Sequence, residues 1–214
     1  MAARIREMRH IYLHGFASGP SSRKAQGFRE AFAAKGVELE IPALDGGDFE
    51  HLTISGQLQL IEDLVNGESA QLIGSSMGGY LAALYACRHP EVTKAVLLAP
   101  AFSFSVRWQH LLGEEELAAW RETGSLPVFH YGVGAEMPIA YGLYEDALQY
   151  PEFPDFRQPA LIFHGLGDDV VPVALSRQFA AGHANAALTE MDSGHELTNV
   201  LEEIVARSVD FLLR

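Results

Sequence analysis

Residues 72–80 read LIGSSMGGY, and within them Gly74, Ser76 and Gly78 satisfy the spacing G-x-S-x-G. Ser75 does not, because the residue two before it is Ile73. A serine presented on a sharp strand-to-helix turn is held in a strained backbone conformation that leaves no room for side chains two residues to either side. Its hydroxyl is a weak nucleophile until a base takes the proton, so Ser76 requires a histidine, oriented by an acid, from elsewhere in the chain. His195, in DSGHELTN, follows the last strand-like run and precedes the last amphipathic segment. That places it in a loop at the carboxyl edge of a parallel sheet, where sites in open α/β sheets form. Its competing role, or that of Ser193, is to cap the helix that follows. FHGLGDDVVP offers the acid just after a strand: Asp168, four residues before Pro172, is expected to be held near the strand end. Asp169 is the alternative acid, otherwise a solvated neighbour or a helix-start charge.

Acyl transfer also needs N–H donors aimed at the developing oxyanion. Met77, first in the helix after Ser76, supplies one through its backbone, and the HGFASGP loop is the expected source of a second, the N–H of Phe16. His14 opens that loop and suits bracing it by hydrogen bonds better than acting as a base. His164, Asp168 and Asp169 are the dense ligand-like set of the chain, and without a matching second cluster no metal site is expected.

The elements that must position these residues alternate short apolar runs with amphipathic segments, the pattern of βαβ units. Strands are expected at His10 to Leu13, VELEIP, AQLIG, KAVLLAP, ALIFHG and AALTEM. Helices are expected over SSRKAQGFREAFAAKG, from His51 to about Val65, over MGGYLAALYACRHP, PVALSRQFAAG and the terminal ELTNVLEEIVARSVDFLLR. This is an α/β fold: a mostly parallel central sheet of about six strands with helices on both faces. Between about residues 101 and 158 the rhythm breaks into a segment holding the helix piece EEELAAWRE and eleven aromatic residues. A stretch this long is uncommon as a plain connection, and it is expected to form a lid within a single domain.

The 214 residues suit one domain, and 48% hydrophobic with 20% charged residues suit a folded core. With 15 Lys+Arg against 28 Asp+Glu the formal charge is -13, which disfavours nucleic acid and anionic lipid surfaces as partners. The N-terminus MAARIREMRHIYLHGF lacks the apolar run of a signal peptide, and no run has the length of a membrane helix, so a cytoplasmic protein with no membrane partner is expected. The single cysteine, Cys87, reads as a small core residue of its helix, with a free surface thiol as the alternative. Nothing in the sequence signals an oligomeric state.

Four segments then agree in chain order: LHGFASGP, GSSMGGY, HGLGDDVVP and SGH. Together they resemble the α/β-hydrolase superfamily, in which the order is serine, acid, histidine. YLHGFASGPSSRKAQGF followed by GSSMGGYLAALYA is similar to the small bacterial YqiA-like esterases. The resemblance implies a serine hydrolase acting on small-molecule carboxylic esters or thioesters without metal or organic cofactor, with Ser76, Asp168 and His195 as its catalytic residues. A C–C bond hydrolase, an acyltransferase with the same residues, or a non-catalytic scaffold are the alternatives. The charge balance favours short or medium neutral esters, with a coenzyme A thioester second. Only Arg107, Arg121 and Arg157 in the insertion could offset the charge for an anionic substrate.

Overall fold

In a computed structural model, which describes residues 8–214, the chain runs β1 (Met8–Leu13), α1 (Arg23–Ala33), α2 (Ile54–Val65), β2 (Ser69–Ser75), α3 (Met77–Arg88), β3 (Val92–Leu98), α4 (Phe104–Thr123), β4 (Ser125–His130), β5 (Ala135–Ala140), α5 (Gly142–Ala147), β6 (Ala160–Gly165), α6 (Val173–Gly182), β7 (Ala186–Met191) and α7 (Leu201–Leu213). The first seven residues of the segment read for a signal peptide lie outside the described residues. Five strands form one parallel sheet in the order β1-β2-β3-β6-β7, and β4 and β5 form a separate antiparallel pair.

The central strands β2, β3 and β6 are largely buried on both faces, so alternate residues enter two different cores. Ile11, Leu13, Leu72, Ala95, Leu97 and Ile162 point to the face covered by α2, α3, α6 and the insertion. Tyr12, Ile73, Val96, Leu98 and Phe163 point to the other face, where α1 supplies Phe28 and Phe32 and α7 supplies Ile204 and Val209. A one-directional strand order with right-handed crossovers keeps intervening helices on one side. The chain reaches the opposite side with α1, then passes round the edge of β1 before α2.

That edge passage corrects one expectation: VELEIP is not a strand. Only Glu40 bridges β1, through Glu40 N–H to His10 O and Tyr12 N–H to Glu40 O, both 2.8 Å. Pro42 follows and has no N–H to continue a ladder. Helix α2 is likewise shorter than read, because Thr53 caps it by accepting the Gly56 N–H at 2.9 Å. Cys87 is exposed rather than in the core, since it falls in the last turn of α3, past the sheet.

The insertion is more regular than its composition suggests. Its helix α4 begins ten residues before EEELAAWRE and is broken at Gly113, whose φ 74° and ψ 173° belong essentially to glycine. Trp120 in the second half is buried, and its Nε1–H donates to Ile139 O of β5 at 2.9 Å. Trp120, Ile139, Leu143 and Phe156 join the same core as α3 and the sheet.

Candidate active site

Ser76 sits between β2 and α3 with φ 54° and ψ −117°, a conformation costing a non-glycine residue about 1–3 kcal/mol. Its backbone is clamped on both sides to hold that strain. Ser76 N–H donates to Leu98 O at 2.8 Å, and its carbonyl accepts from the Ala101, Gly79 and Tyr80 N–H groups. The glycine spacing has the steric meaning read from the sequence. A Cβ on Gly74 would lie 2.2 Å from Gly78 O, and one on Gly78 would lie 2.1 Å from Leu13 O. Ser75 is buried at the end of β2 and belongs to the turn.

The fold carries His195 to this serine from 119 residues away: Ser76 Oγ–H donates to His195 Nε2 at 3.0 Å. The other ring nitrogen, as Nδ1–H, donates to Asp168 Oδ2 at 2.7 Å. The Asp168 side chain is fully buried, and its Oδ1 accepts the N–H groups of Val170 at 2.9 Å and Val171 at 2.7 Å. Burial would raise this carboxyl, but donors from His164, His195 and Val171 outweigh it and hold the group well below the usual carboxylate range. Asp169 is exposed. Neither Ser193 nor His195 caps α7, which starts at Leu201 after a short 3-10 turn over Thr198–Val200.

Two residues that sequence reasoning did not assign to this arrangement support it. His164, fully buried in β6, donates Nε2–H to Val171 O at 2.8 Å, lies 3.1 Å from Asp168 Oδ2, and has Ser176 Oγ 2.7 Å from Nδ1. It braces the acid turn, whereas its sequence neighbours suggested only a metal ligand. Gly165 is the second: a Cβ there would lie 2.4 Å from Ser193 O and 2.5 Å from Gly194 O, so the loop carrying His195 rests directly on it. Glu196, next to His195, pairs with the mostly buried Lys24 of α1 at 3.5 Å.

On the other side of Ser76 runs the loop after β1. Gly15 is close enough that a Cβ would be 3.3 Å from Ser76 Cβ. His14 braces the loop, with Nδ1–H donating to Gly15 O at 2.9 Å and Nε2 accepting Leu44 N–H at 3.2 Å, and burial lowers its proton affinity. Tyr131 N–H from the hairpin holds Ala17 O at 2.8 Å. The backbone N–H groups of Phe16 and Met77 have no acceptor among the described residues.

The chain also brings together Glu62, His89 and Glu91, whose ligand atoms lie within 4.8 Å of one another, a grouping the sequence spacing concealed. These groups are already engaged: His89 Nδ1 is 3.2 Å from Glu62 and 2.9 Å from Glu91, and Tyr85 donates to Glu62 at 2.6 Å. Of the insertion aromatics, Phe102, Phe104, Trp120, Tyr144 and Phe156 are buried in packing, while Phe129 and Tyr131 are exposed. Among the described residues no helix is long and apolar enough to cross a membrane.

A serine on a strained strand-to-helix turn of a parallel sheet, with the order of elements seen here, defines the α/β-hydrolase class. Within it, the chain belongs to UPF0227, described as an uncharacterised protein family, whose model matches residues 9–212. Similar in sequence is the Xenopus laevis monoacylglycerol lipase abhd6-B, 27% identical over 175 residues, which are 76% of this chain and 49% of that protein. The chain thus spans about half the length of the curated relatives it matches. Similar in structure is Est1E from Butyrivibrio proteoclasticus with ferulic acid bound, at TM-score 0.82 and 21% identity over 97% of this chain and 89% of that one. The monoacylglycerol lipase of Paleococcus ferrophilus superposes at TM-score 0.74 and 20% identity, covering 94% and 92%.

Proposed function

We propose that the protein is a serine hydrolase that cleaves carboxylic esters or thioesters through an acyl-enzyme. The observation carrying this reading is the continuous relay from Ser76 Oγ to His195 Nε2, and from His195 Nδ1 to the buried Asp168. His195 takes the Ser76 proton as Oγ bonds to the substrate carbonyl carbon, and Asp168 fixes the ring and stabilises the imidazolium. The Phe16 and Met77 N–H groups hold the oxyanion. The carbon–oxygen bond to the leaving alcohol (carbon–sulfur in a thioester) breaks as His195 returns the proton to it. Water, deprotonated by the same ring, then adds to the acyl-enzyme and releases the acid and Ser76. The monoacylglycerol lipase relatives, although matched over only half their length, favour an ester over a carbon–carbon bond as the one broken.

Fluorophosphonate labelling followed by turnover of p-nitrophenyl esters from acetate to palmitate tests this. Wild type and Ser75→Ala are expected to label and Ser76→Ala not to, with at least about a 10³-fold loss of kcat in Ser76→Ala. Labelling kept in Ser76→Ala but lost in Ser75→Ala would reassign the nucleophile, and a folded wild type that neither labels nor turns over ester would leave a scaffold.

A further inference from the structure

Arg107 is a cation set against the acid turn. It lies near the start of α4, where a guanidinium N–H donates to the carbonyl of Val170, two residues beyond Asp168. The next residue, Trp108, packs edge-on against Phe16 with ring centroids 5.5 Å apart. The first half of α4 therefore reaches from the loop after β1 to the acid turn, and Ser76 lies between them, against Gly15 on one side and joined through His195 to Asp168 on the other.

No carboxylate of the described residues lies within ion-pair distance of Arg107, whose one side-chain hydrogen bond is to the Val170 carbonyl. Asp168 does not serve as its partner, because its oxygens are taken by the Val170 and Val171 N–H groups and by His195. A partly buried guanidinium with one N–H on a backbone carbonyl keeps several donors in a planar fork, a geometry that fits a carboxylate with two parallel hydrogen bonds. With one N–H on a neutral carbonyl, this half-buried charge has no anion in direct contact and can take one from a ligand. The side of approach is also defined. The leaving alcohol sits toward the ring that protonates it, and Arg107 is on the His195–Asp168 side of Ser76.

We propose that Arg107 recognises an anionic group in the leaving alcohol, so that the favoured substrates are esters whose alcohol part bears a carboxylate. This rests on the serine-hydrolase reading above. The chain's net charge of -13 argues for neutral substrates at long range, but a contact of this kind acts within the site and is decided locally.

The test compares 4-butanoyloxybenzoate with 4-butanoyloxybenzamide, which share the acyl group and differ in the charge of the phenol released. Wild type is expected to favour the benzoate by about tenfold or more in kcat/KM, the scale of a charge-assisted hydrogen-bond pair, mainly through KM. The ratio collapses toward unity in Arg107→Gln, is partly kept in Arg107→Lys, and shrinks with added salt. Because each ratio is taken within one protein, differences in folded fraction cancel. Wild type that turns over both esters equally, or a preference that survives in Arg107→Gln, sinks the anion subsite and leaves the hydrolase reading standing. Turnover of neither ester by a wild type that labels with the fluorophosphonate sinks the anion subsite alone, and turnover of neither by one that also fails to label sinks both.

Discussion

His14 shows how a single side chain can tie the site to pH without touching the reaction. Its two ring bonds fix one protonation state, because Nδ1 must carry hydrogen to reach Gly15 O while Nε2 must be bare to accept from Leu44. Burial lowers its proton affinity below the ordinary value of about 6.5. In the window between that value and the lower folded one, the unfolded chain binds more protons than the folded one, so stability rises with pH. The contribution is present above about 6.5 and is lost as pH falls through the folded value. Substituting His14→Gln supplies a donor and an acceptor that do not titrate. The difference in Tm between wild type and His14→Gln is expected to move against wild type as pH drops from 8 to 5, and a difference constant over that range would refute the linkage. Legibility at this scale followed the range of the cause. Gly74 is readable around Ser76 because what it meets, Gly78 and Gly79, belongs to the same short motif, and Gly78 is readable through the motif's spacing although the carbonyl it meets, Leu13 O, comes from β1. Gly165 and His164 are not, since what they meet, the carbonyls of Ser193 and Gly194 and the acid turn, is supplied only by the folded chain. Cys87 misread because helical period says which face a residue is on, but not where along the helix the sheet stops covering it.

Among the elements, the insertion was the part least legible in sequence. Strands β1, β2, β3 and β6 each present a short apolar run, because both faces of the sheet are covered there, whereas the edge strand β7 leaves Ala187 and Glu190 exposed. The hairpin of β4 and β5 has one exposed face and pairs Pro127 with Pro138, so neither apolar continuity nor clean alternation marked it. The first half of α4 was missed because the glycine break separates it from the helix-forming EEELAAWRE. What fastens these pieces is Trp120, which joins α4 to β5 through Ile139 O and through its buried ring. Trp120→Ala is expected to cost about 3–5 kcal/mol as a large-to-small core change. Trp120→Phe keeps a ring but strips Ile139 O of its donor, for about 1–3 kcal/mol. The hairpin also holds the loop after β1 through Tyr131 N–H and Ala17 O, so the loss should reach the site. Urea midpoints rank the variants, and p-nitrophenyl butyrate turnover at 10 °C, where the variants remain folded, should fall in the same order. Equal midpoints for wild type and Trp120→Ala would mean the hairpin is held by something else.

For the whole molecule the question is whether residues 101–158 behave as an attached lid or as part of the domain. Side chains of the insertion share one continuous apolar cluster with α2, α3, α6 and the sheet, with Phe102 stacked on Phe179 at 4.4 Å and Phe156 on the same ring at 5.6 Å. Tyr80 of α3 donates to Pro151 O at 2.9 Å, and Gln158 reaches Ala86 O at 2.9 Å, so polar bonds cross the same boundary. A core shared in this way cannot lose one part without exposing the other, and the two should unfold together. The chain contains its own reporter for this. Both tryptophans, Trp108 and Trp120, lie in α4, 5.5 Å apart, whereas helices and strands outside the insertion dominate the far-ultraviolet circular dichroism. Urea unfolding followed by tryptophan fluorescence and by circular dichroism is expected to give superimposable transitions with the same midpoint and slope. A fluorescence midpoint clearly below the dichroism midpoint would show the insertion leaving first. Arg107 and Trp108 would then be carried on a separately stable flap, and the substrate selection proposed for Arg107 would depend on its closure instead of being built into the folded core.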